Sequence, residues 1–175
     1  MHRGLKLSAL LLLTSFISIP AVAEDRGTTE RRDFWSINGG IAYAWDESAF
    51  RDFESSDVAA YLSGSWGVGP GFLPQWMGVE AELGLTASDG RWLGEQWSMY
   101  SGAAYLTTYT GSERLYIKLR GGVSSNRVEI GGVAASDSGL AGSMGIGFLL
   151  FDQPMELHFT AVDRNVNTLT LHWRF

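Results

Sequence analysis

Three polar residues near the end of the chain have types and spacing that could support ester hydrolysis. They are Glu156, His158 and Thr160, which alternate with apolar residues. A hydroxyl group activated by a histidine that an acid orients is an esterase arrangement, and Asp163 is an alternative acid. However, threonine is a more hindered nucleophile than serine. A histidine beside a glutamate on the polar face of a strand is also more typical of a packed network. We therefore interpret the three as packing residues, with catalysis as the alternative.

Other site chemistry finds less support in the sequence. The chain has three histidines, one of them His2, and no cysteine, which argues against a metal site. The glycine-rich segments 67–71 and 142–147 do not precede predicted helices, so they do not fit phosphate-binding loops. No cofactor is expected. The net charge of −6 disfavours nucleic acid as a partner.

The polar candidates belong to strands with one apolar face, and segment 167–175 shows the pattern most clearly. Its even-numbered residues are polar or charged, whereas its odd-numbered residues from 169 onward are apolar. Strict alternation predicts an extended strand whose two faces meet different surroundings. The apolar residues also resemble the signal by which the outer-membrane assembly machinery recognises its clients. This predicted assembly signal consists of Leu169, Leu171, Trp173 and Phe175.

The amino-terminal segment resembles an export signal. Basic residues precede an apolar run from Leu7 to Ile19, and Ala21 and Ala23 supply a small-x-small cleavage site. We expect residues 1–23 to be a signal peptide and residues 24–33 a flexible periplasmic lead-in. Cleavage would leave eleven basic and nineteen acidic residues, a net charge of −8. The absence of cysteine means that an exported chain of this kind is stabilised without disulfides.

The remainder, residues 34–175, is predicted to form one all-β domain. No segment after the leader is apolar for eighteen residues, so a closed barrel is the membrane fold that the sequence allows. We predict an eight-stranded antiparallel up-and-down transmembrane β-barrel. Its strands are 35–45, 58–68, 76–87, 96–109, 114–124, 140–151, 155–161 and 167–175, and its outer loops are 46–57, 88–95, 125–138 and 163–166.

The fourth predicted strand is the least regular of the eight. We assign four of its residues to the outer face, which places Leu106 inside the barrel and Ser101 and Thr107 toward lipid. The four residues assigned outward are Trp97, Met99, Ala103 and Tyr105.

The charged residues of the other strands fall opposite the apolar faces. A charged side chain facing lipid at mid-depth would cost about 2–4 kcal/mol, so we place these residues inside the barrel. Eight strands leave an interior that side chains fill, and acids and bases must then pair. The predicted interior charge network consists of Glu80, Glu82, Lys118, Arg120, Glu156, His158, His172 and Arg174.

The eight alternating strands and the Leu171-x-Trp173-x-Phe175 ending resemble the OmpA-like and opacity-porin superfamily of small outer-membrane barrels. The resemblance covers residues 34–175. It implies a Gram-negative outer-membrane protein, expected to be a monomer, with a structural role or a surface-interaction role in adhesion or resistance. It also implies lipid, lipopolysaccharide and the barrel-assembly machinery as partners, and a host or surface ligand through loops 46–57 and 125–138.

Two alternatives accompany this resemblance. Lipid A 3-O-deacylases are eight-stranded barrels with a His-x-Ser pair, to which His158-Phe159-Thr160 is similar in part. Some small barrels are instead narrow channels of low conductance.

Overall fold

A computed structural model describes residues 33–44, 58–92, 94–112, 114–151, 153–162 and 166–175. The predicted signal peptide, the predicted lead-in up to residue 32 and the predicted loop 46–57 lie outside the described residues. Within the described residues, no helix is long and apolar enough to span a membrane.

Nine strands account for most of the described chain. Alternation of apolar and polar residues favours extended backbone in each of the longer ones, because the two faces of a strand then meet different surroundings. The strands are β1 Phe34–Ala44, β2 Val58–Val68, β3 Met77–Thr86, β4 Gly90–Trp92, β5 Glu95–Gly111, β6 Leu115–Ile130, β7 Val133–Leu150, β8 Gln153–Ala161 and β9 Val166–Arg174.

The strands close into an eight-stranded antiparallel barrel. Neighbours in sequence pair with one another, and β9 returns to pair with β1 from Ser36↔Arg174 to Ala44↔Val166. The short strand β4 continues β3 past a bend at 87–89, and both pair with β5. With β3 and β4 counted as one, the described strands form a barrel of eight strands, as the sequence predicts. Each strand pairs with a neighbour on both sides where the barrel is closed, so no edge is unpaired there.

The two faces of the barrel wall have opposite polarity. On β9, Leu169, Leu171 and Trp173 are exposed on the outside, whereas Thr170 and His172 are buried inside. The same division runs along β1, β2, β3, β6, β7 and β8. The exposed side chains include Trp35, Ile37, Leu62, Trp66, Val79, Leu83, Leu115, Ile117, Val123, Met144, Ile146, Leu157 and Phe159.

Strand β5 has the opposite orientation to the one predicted. Trp97, Met99 and Tyr105 are buried inside, whereas Tyr100 and Leu106 are exposed outside. Pairing with β3 decides the orientation, because residues opposite each other in a ladder share a face. Tyr105 lies opposite Glu80, Ala103 lies opposite Glu82, and both glutamates point inward. The assignment of Trp97, Met99, Ala103 and Tyr105 to lipid was therefore wrong.

The predicted loop 125–138 is also wrong, because β6 and β7 extend through it. The strands pair without interruption up to Ile130↔Val133. The connection is the pair Gly131-Gly132, whose φ angles of 55° and 82° are those of a type I′ hairpin turn. Two successive positive φ angles favour glycine at both positions, and this permits the tight turn. The predicted loop 125–138 is therefore a two-stranded β-ribbon, formed by the end of β6 and the start of β7.

The predicted loop 88–95 is shorter than expected for a related reason. Strand β4 occupies residues 90–92 and pairs with the start of β5, so a tight hairpin remains. At the opposite end of the barrel, the connections after β2, β5 and β7 lie close to the gaps between the predicted strands.

Candidate functional site

The interior contains a chain of alternating acidic and basic side chains. They belong to strands β3, β6, β8 and β9. Each side chain points into the barrel because its residue lies on the polar face of its strand. In spatial order they are Glu82, Arg120, Glu80, Lys118, Glu156 and Arg174. Three carboxylates face three permanent cations, so the chain is formally neutral.

Lys118 occupies the middle of this chain. Its ammonium Nζ lies 2.7 Å from Glu80 Oε2 and 3.0 Å from Glu156 Oε2, and all three side chains are fully buried. An isolated buried charge is costly, whereas one held between opposite charges at these distances is compensated. Lys118 therefore joins two groups of ion pairs that lie on different sides of the barrel interior.

The first group is centred on Arg120. Its Nη1 atom donates to Glu80 Oε1 at 2.8 Å and to Glu82 Oε2 at 2.7 Å. Its Nη2 atom donates to Ser143 Oγ at 3.1 Å and to Thr160 Oγ1 at 2.9 Å. One guanidinium group thus connects β6 to strands on both of its sides.

The second group is centred on the Glu156 carboxylate, which accepts four hydrogen bonds. Oε1 accepts from Tyr116 at 2.5 Å and from Arg174 Nη1 at 2.7 Å. Oε2 accepts from Lys118 Nζ at 3.0 Å and from His158 Nε2 at 2.8 Å. A carboxylate has about four acceptor sites, so these donors occupy its capacity.

The acid–histidine–hydroxyl arrangement exists, but with a different hydroxyl from the one predicted. His158 Nδ1 lies 3.0 Å from Ser143 Oγ, while its Nε2 atom contacts Glu156. Thr160 Oγ1 bonds to Ser143 and Arg120. Ser143 comes from β7 and reaches His158 through the β7–β8 pairing, a register that the sequence of β8 alone does not reveal.

Burial limits what this arrangement can do chemically. Glu156 and His158 are fully buried, and Thr160 is 2% exposed. A nucleophile must meet its substrate, and these groups face the interior rather than the exposed outer face of the wall. The geometry therefore fits a hydrogen-bonded packing network better than a hydrolytic centre.

His172 extends the network and invites a comparison with metal sites. Ligand atoms of Glu156, His158 and His172 all lie within 4.8 Å of one another, and the two imidazole rings are 4.3 Å apart. His172 Nε2 lies 2.9 Å from Thr170 Oγ1, and its Nδ1 atom has no hydrogen-bond partner among the described residues. A bound dication would have to displace the donors of Glu156 and would lie beside Lys118. The donor set thus disfavours a metal.

A neutral hydrogen-bonded group, which the sequence analysis missed, continues the network across β1 and β2. Asn38 Nδ2 donates to Ser63 Oγ at 2.9 Å and to Ser65 Oγ at 2.8 Å, and Ser63 Oγ donates to Glu82 Oε1 at 2.8 Å. The alternation of residues along β1 and β2 already predicts that these side chains point inward. Their mutual contacts depend on the β1–β2 register.

Side chains close the interior at the end where β1 begins. The Phe34 ring lies there, with Lys118 Nζ 4.5 Å and the Arg174 guanidinium carbon 3.9 Å from its centroid. Gly67 leaves room for this ring, because a Cβ atom at that position would collide with it. The aromatic face also stabilises the two cations.

An apolar cluster closes the opposite end. Trp97 and Met99 from β5 pack with smaller side chains from β1, β2 and the β8–β9 region, and all are buried. Gly90 makes room for the Trp97 ring. The cluster contains Ala42, Ala59, Tyr61, Trp97, Met99, Val162 and Val166. The charged network thus lies between two layers of packed side chains.

Comparison with known proteins shows what this architecture is similar to. Neisserial surface protein A aligns over 81% of this chain and 94% of its own, with a TM-score of 0.55 and 11% sequence identity. The likeness is one of fold. The attachment invasion locus protein Ail of Yersinia pestis aligns over 82% of this chain and 99% of its own, with a TM-score of 0.40 and 18% identity. No family model and no curated protein sequence matches the chain.

Proposed function

We propose that the protein is an integral outer-membrane β-barrel with a sealed interior and a structural or surface-interaction role. The observation that carries the proposal is the inverted polarity of the wall, with exposed aliphatic and aromatic side chains outside and buried ion pairs inside. A soluble monomer rarely exposes apolar patches larger than a few hundred Å². Hydrocarbon, in contrast, stabilises such a surface.

The height of the apolar surface supports this proposal. On β7, apolar outward side chains extend from Leu140 to Leu150, ten residues apart in sequence. At about 3.3 Å per residue this is about 33 Å along the strand. With a tilt of about 40°, the apolar span is about 25 Å high, the thickness of the outer-membrane belt.

Orientation and export complete the proposal. If residues 1–23 direct export and both ends of the barrel strands face the periplasm, the connections after β1, β6 and β8 and the β4–β5 turn face outward. The acidic connection 46–57 then lies at the cell surface, as does the β6–β7 ribbon. We assign interaction roles to this end, because the paired ends of β6 and β7 extend beyond the apolar belt there and the connection 46–57 is acidic.

A channel is less consistent with the packing of the described residues. Phe34 lies at one end of the charged network, and the Trp97–Met99 cluster lies at the other. The layers between them are joined by hydrogen bonds rather than by an open passage. We therefore favour a filled barrel that is monomeric and conducts no ions.

Fractionation and gel mobility test the proposal. The full-length protein should fractionate with the outer membrane. The folded barrel should also migrate faster on a gel before boiling than after it. Recovery from the periplasm as a soluble protein, or identical migration in both samples, would contradict the proposal.

The esterase alternative has one observation in its favour, the Glu156–His158–Ser143 contact series. A lipid A deacylation assay on the folded protein, with the His158→Ala variant as control, decides between the alternatives. We expect no deacylation by either protein. Product formation that depends on His158 would establish the enzyme.

A further inference from the structure

Two phenylalanine side chains are almost fully exposed at the end of the barrel that Phe34 closes. Phe72 in the β2–β3 connection is 84% exposed, and Phe151 in the β7–β8 connection is 91% exposed. The other exposed aromatic side chains among the described residues reach 62% at most. Neither ring therefore packs on the barrel, and whatever surrounds it comes from outside the chain.

The β2–β3 connection holds its phenylalanine in a fixed position. The connection contains two successive turns. In the first, the Leu73 amide donates to the Pro70 carbonyl at 2.9 Å, and in the second the Met77 amide donates to the Pro74 carbonyl at 2.9 Å. The ring of a proline fixes its own φ angle, so each turn begins at a rigid residue. The phenylalanine between them is thus presented at the tip of a connection that has little freedom to fold back.

The phenylalanine of the β7–β8 connection has a strained backbone conformation. Strand pairing continues to Leu150↔Gln153, and the φ angle of Phe151 is 52°. Glycine, asparagine and aspartate tolerate this left-handed region, whereas the Cβ atom of a bulky residue comes too close to a carbonyl oxygen. Such strain persists where another interaction offsets it. Because the ring is 91% exposed, packing within the described chain does not supply that interaction.

The two phenylalanines lie on opposite sides of the barrel. Four strands separate the β2–β3 connection from the β7–β8 connection in either direction around the barrel. The β5–β6 connection lies midway between them, and its described residues Ser112 and Arg114 are polar and exposed. A protein docked on one side of the barrel would reach one ring, and one docked across this end would also cover the polar connection. A lipid interface surrounds the barrel and meets both rings.

Both rings also lie next to apolar residues at the edge of the wall. Leu149 and Leu150 directly precede Phe151, and Leu150 is the last apolar residue of the belt on β7. Trp76, which is 38% exposed, lies at the end of the connection that contains Phe72. The hydrocarbon of the proposed membrane ends at this edge. Aromatic side chains are stable at such a boundary between hydrocarbon and water.

We propose that Phe72 and Phe151 insert into the lipid interface at this end and act as two anchors that fix the depth and tilt of the barrel. Insertion buries both apolar rings and offsets the strain at Phe151. Because the anchors lie at opposite ends of one diameter, they resist tilting along that diameter. They belong to turns, and they act in addition to the aromatic residues of the strands. The inference rests on the proposed function in requiring that the barrel spans a membrane.

Fluorescence quenching in vesicles tests this proposal, and the absence of cysteine from the chain permits single labels. A bimane label is attached to Gly71→Cys or to Gln153→Cys, exposed positions that each lie beside one intact phenylalanine. Ser112→Cys, at the polar connection of the same end, is the control. The full-length labelled proteins are inserted into phosphatidylcholine vesicles. Lipid brominated next to the head group quenches an inserted label, whereas iodide quenches a label in water.

We expect stronger quenching by brominated lipid at Gly71→Cys and Gln153→Cys than at Ser112→Cys, and the reverse order for iodide. Phe72→Ser should lower the lipid quenching at the first label to that of the control, because burial of a phenylalanine side chain favours the inserted state at least about tenfold. Phe151→Asn should do the same at the second label, although asparagine suits the backbone there. Tyrosine at either position keeps a ring and should keep the quenching.

Two results would overturn the proposal. Iodide quenching at Gly71→Cys and Gln153→Cys as strong as at Ser112→Cys would place both rings in water, where they would be available to a protein partner instead. Lipid quenching that survives the loss of both rings would show that the rest of each turn, not its phenylalanine, lies at the interface. Every variant is compared in its folded, heat-modifiable form.

Failure of this inference is distinguishable from failure of the proposed function. A protein that does not span the membrane would show neither the gel shift on boiling nor quenching of its tryptophan residues by brominated lipid. A protein that shows both, with its labels in water, refutes the inference alone.

Discussion

Replacement of the central lysine gives the sharpest test of the charged interior. Lys118→Met removes the ammonium group that lies between Glu80 and Glu156 and keeps a side chain of similar length. Three buried carboxylates then face two cations. The variant therefore leaves one uncompensated negative charge in a layer that the packed ends separate from water.

The structure sets the expected size of the effect. Removing one partner of a buried ion pair typically costs about 3–5 kcal/mol, because the other charge stays buried. Glu80 retains Arg120, and Glu156 retains Arg174 and Tyr116. We therefore expect a loss of about 3 kcal/mol in the free energy of unfolding, at the lower end of that range.

A double variant separates charge from packing. Lys118→Met combined with Glu80→Gln restores neutrality, with Arg120 and Arg174 against Glu82 and Glu156. It should recover at least about 1 kcal/mol relative to the single variant, as coupled neighbours commonly do. The measurement is urea unfolding of the barrel in lipid vesicles, followed by tryptophan fluorescence and by the gel shift on boiling.

Two results would refute the reasoning. A single variant with the unfolding free energy of the wild type would mean that water reaches Lys118. A double variant that is no more stable than the single one would mean that the volume of the side chain, not its charge, is what the interior requires.

Three further predictions concern the wall and the ribbon. Leu157→Arg places a cation in the apolar belt and should destabilise the barrel by about 2–4 kcal/mol in the same unfolding assay, whereas Ser136→Arg above the belt should leave stability unchanged. Gly147→Val would drive a side chain into the aromatic ring beside it and should abolish the heat-modifiable form, while Gly121→Ala, which has open space at Cβ, should keep it. Gly132→Val forces a β-branched residue to a φ near +82° and should increase proteolysis of the ribbon without loss of the barrel.

The barrel was predictable because its wall has one simple requirement. Each strand that crosses an apolar layer must alternate, and the alternation predicts both the strand and the direction of its side chains. This reasoning gave the wrong orientation for β5 because aromatic residues occur on both of its faces. Trp97 and Tyr105 lie inside, and Tyr100 lies outside. Its orientation follows from its register with β3, which no pattern within β5 contains.

The ribbon was missed for the opposite reason. Above the apolar belt, β6 and β7 have small or polar residues on the outer face, so polarity no longer alternates. The Gly131-Gly132 pair was the available signal for a tight hairpin. The interior shows the same limit, since alternation places His158 inside but only the register with β7 brings Ser143 to it.

The buried ion pairs of the interior bear directly on where this barrel can vary. Because the apolar side chains of the wall point outward, ion pairs stabilise the middle of the interior. These ion pairs join strands that are not neighbours in the barrel. Lys118 on β6 contacts Glu80 on β3 and Glu156 on β8, two acids that no single hairpin could bring together. Each such residue has two or more partners, so a change at one leaves others buried without compensation. Substitution is far less costly at the end where β7 leaves the belt, because residues 131–140 are all exposed. New binding properties would therefore arise at this end more readily than in the interior.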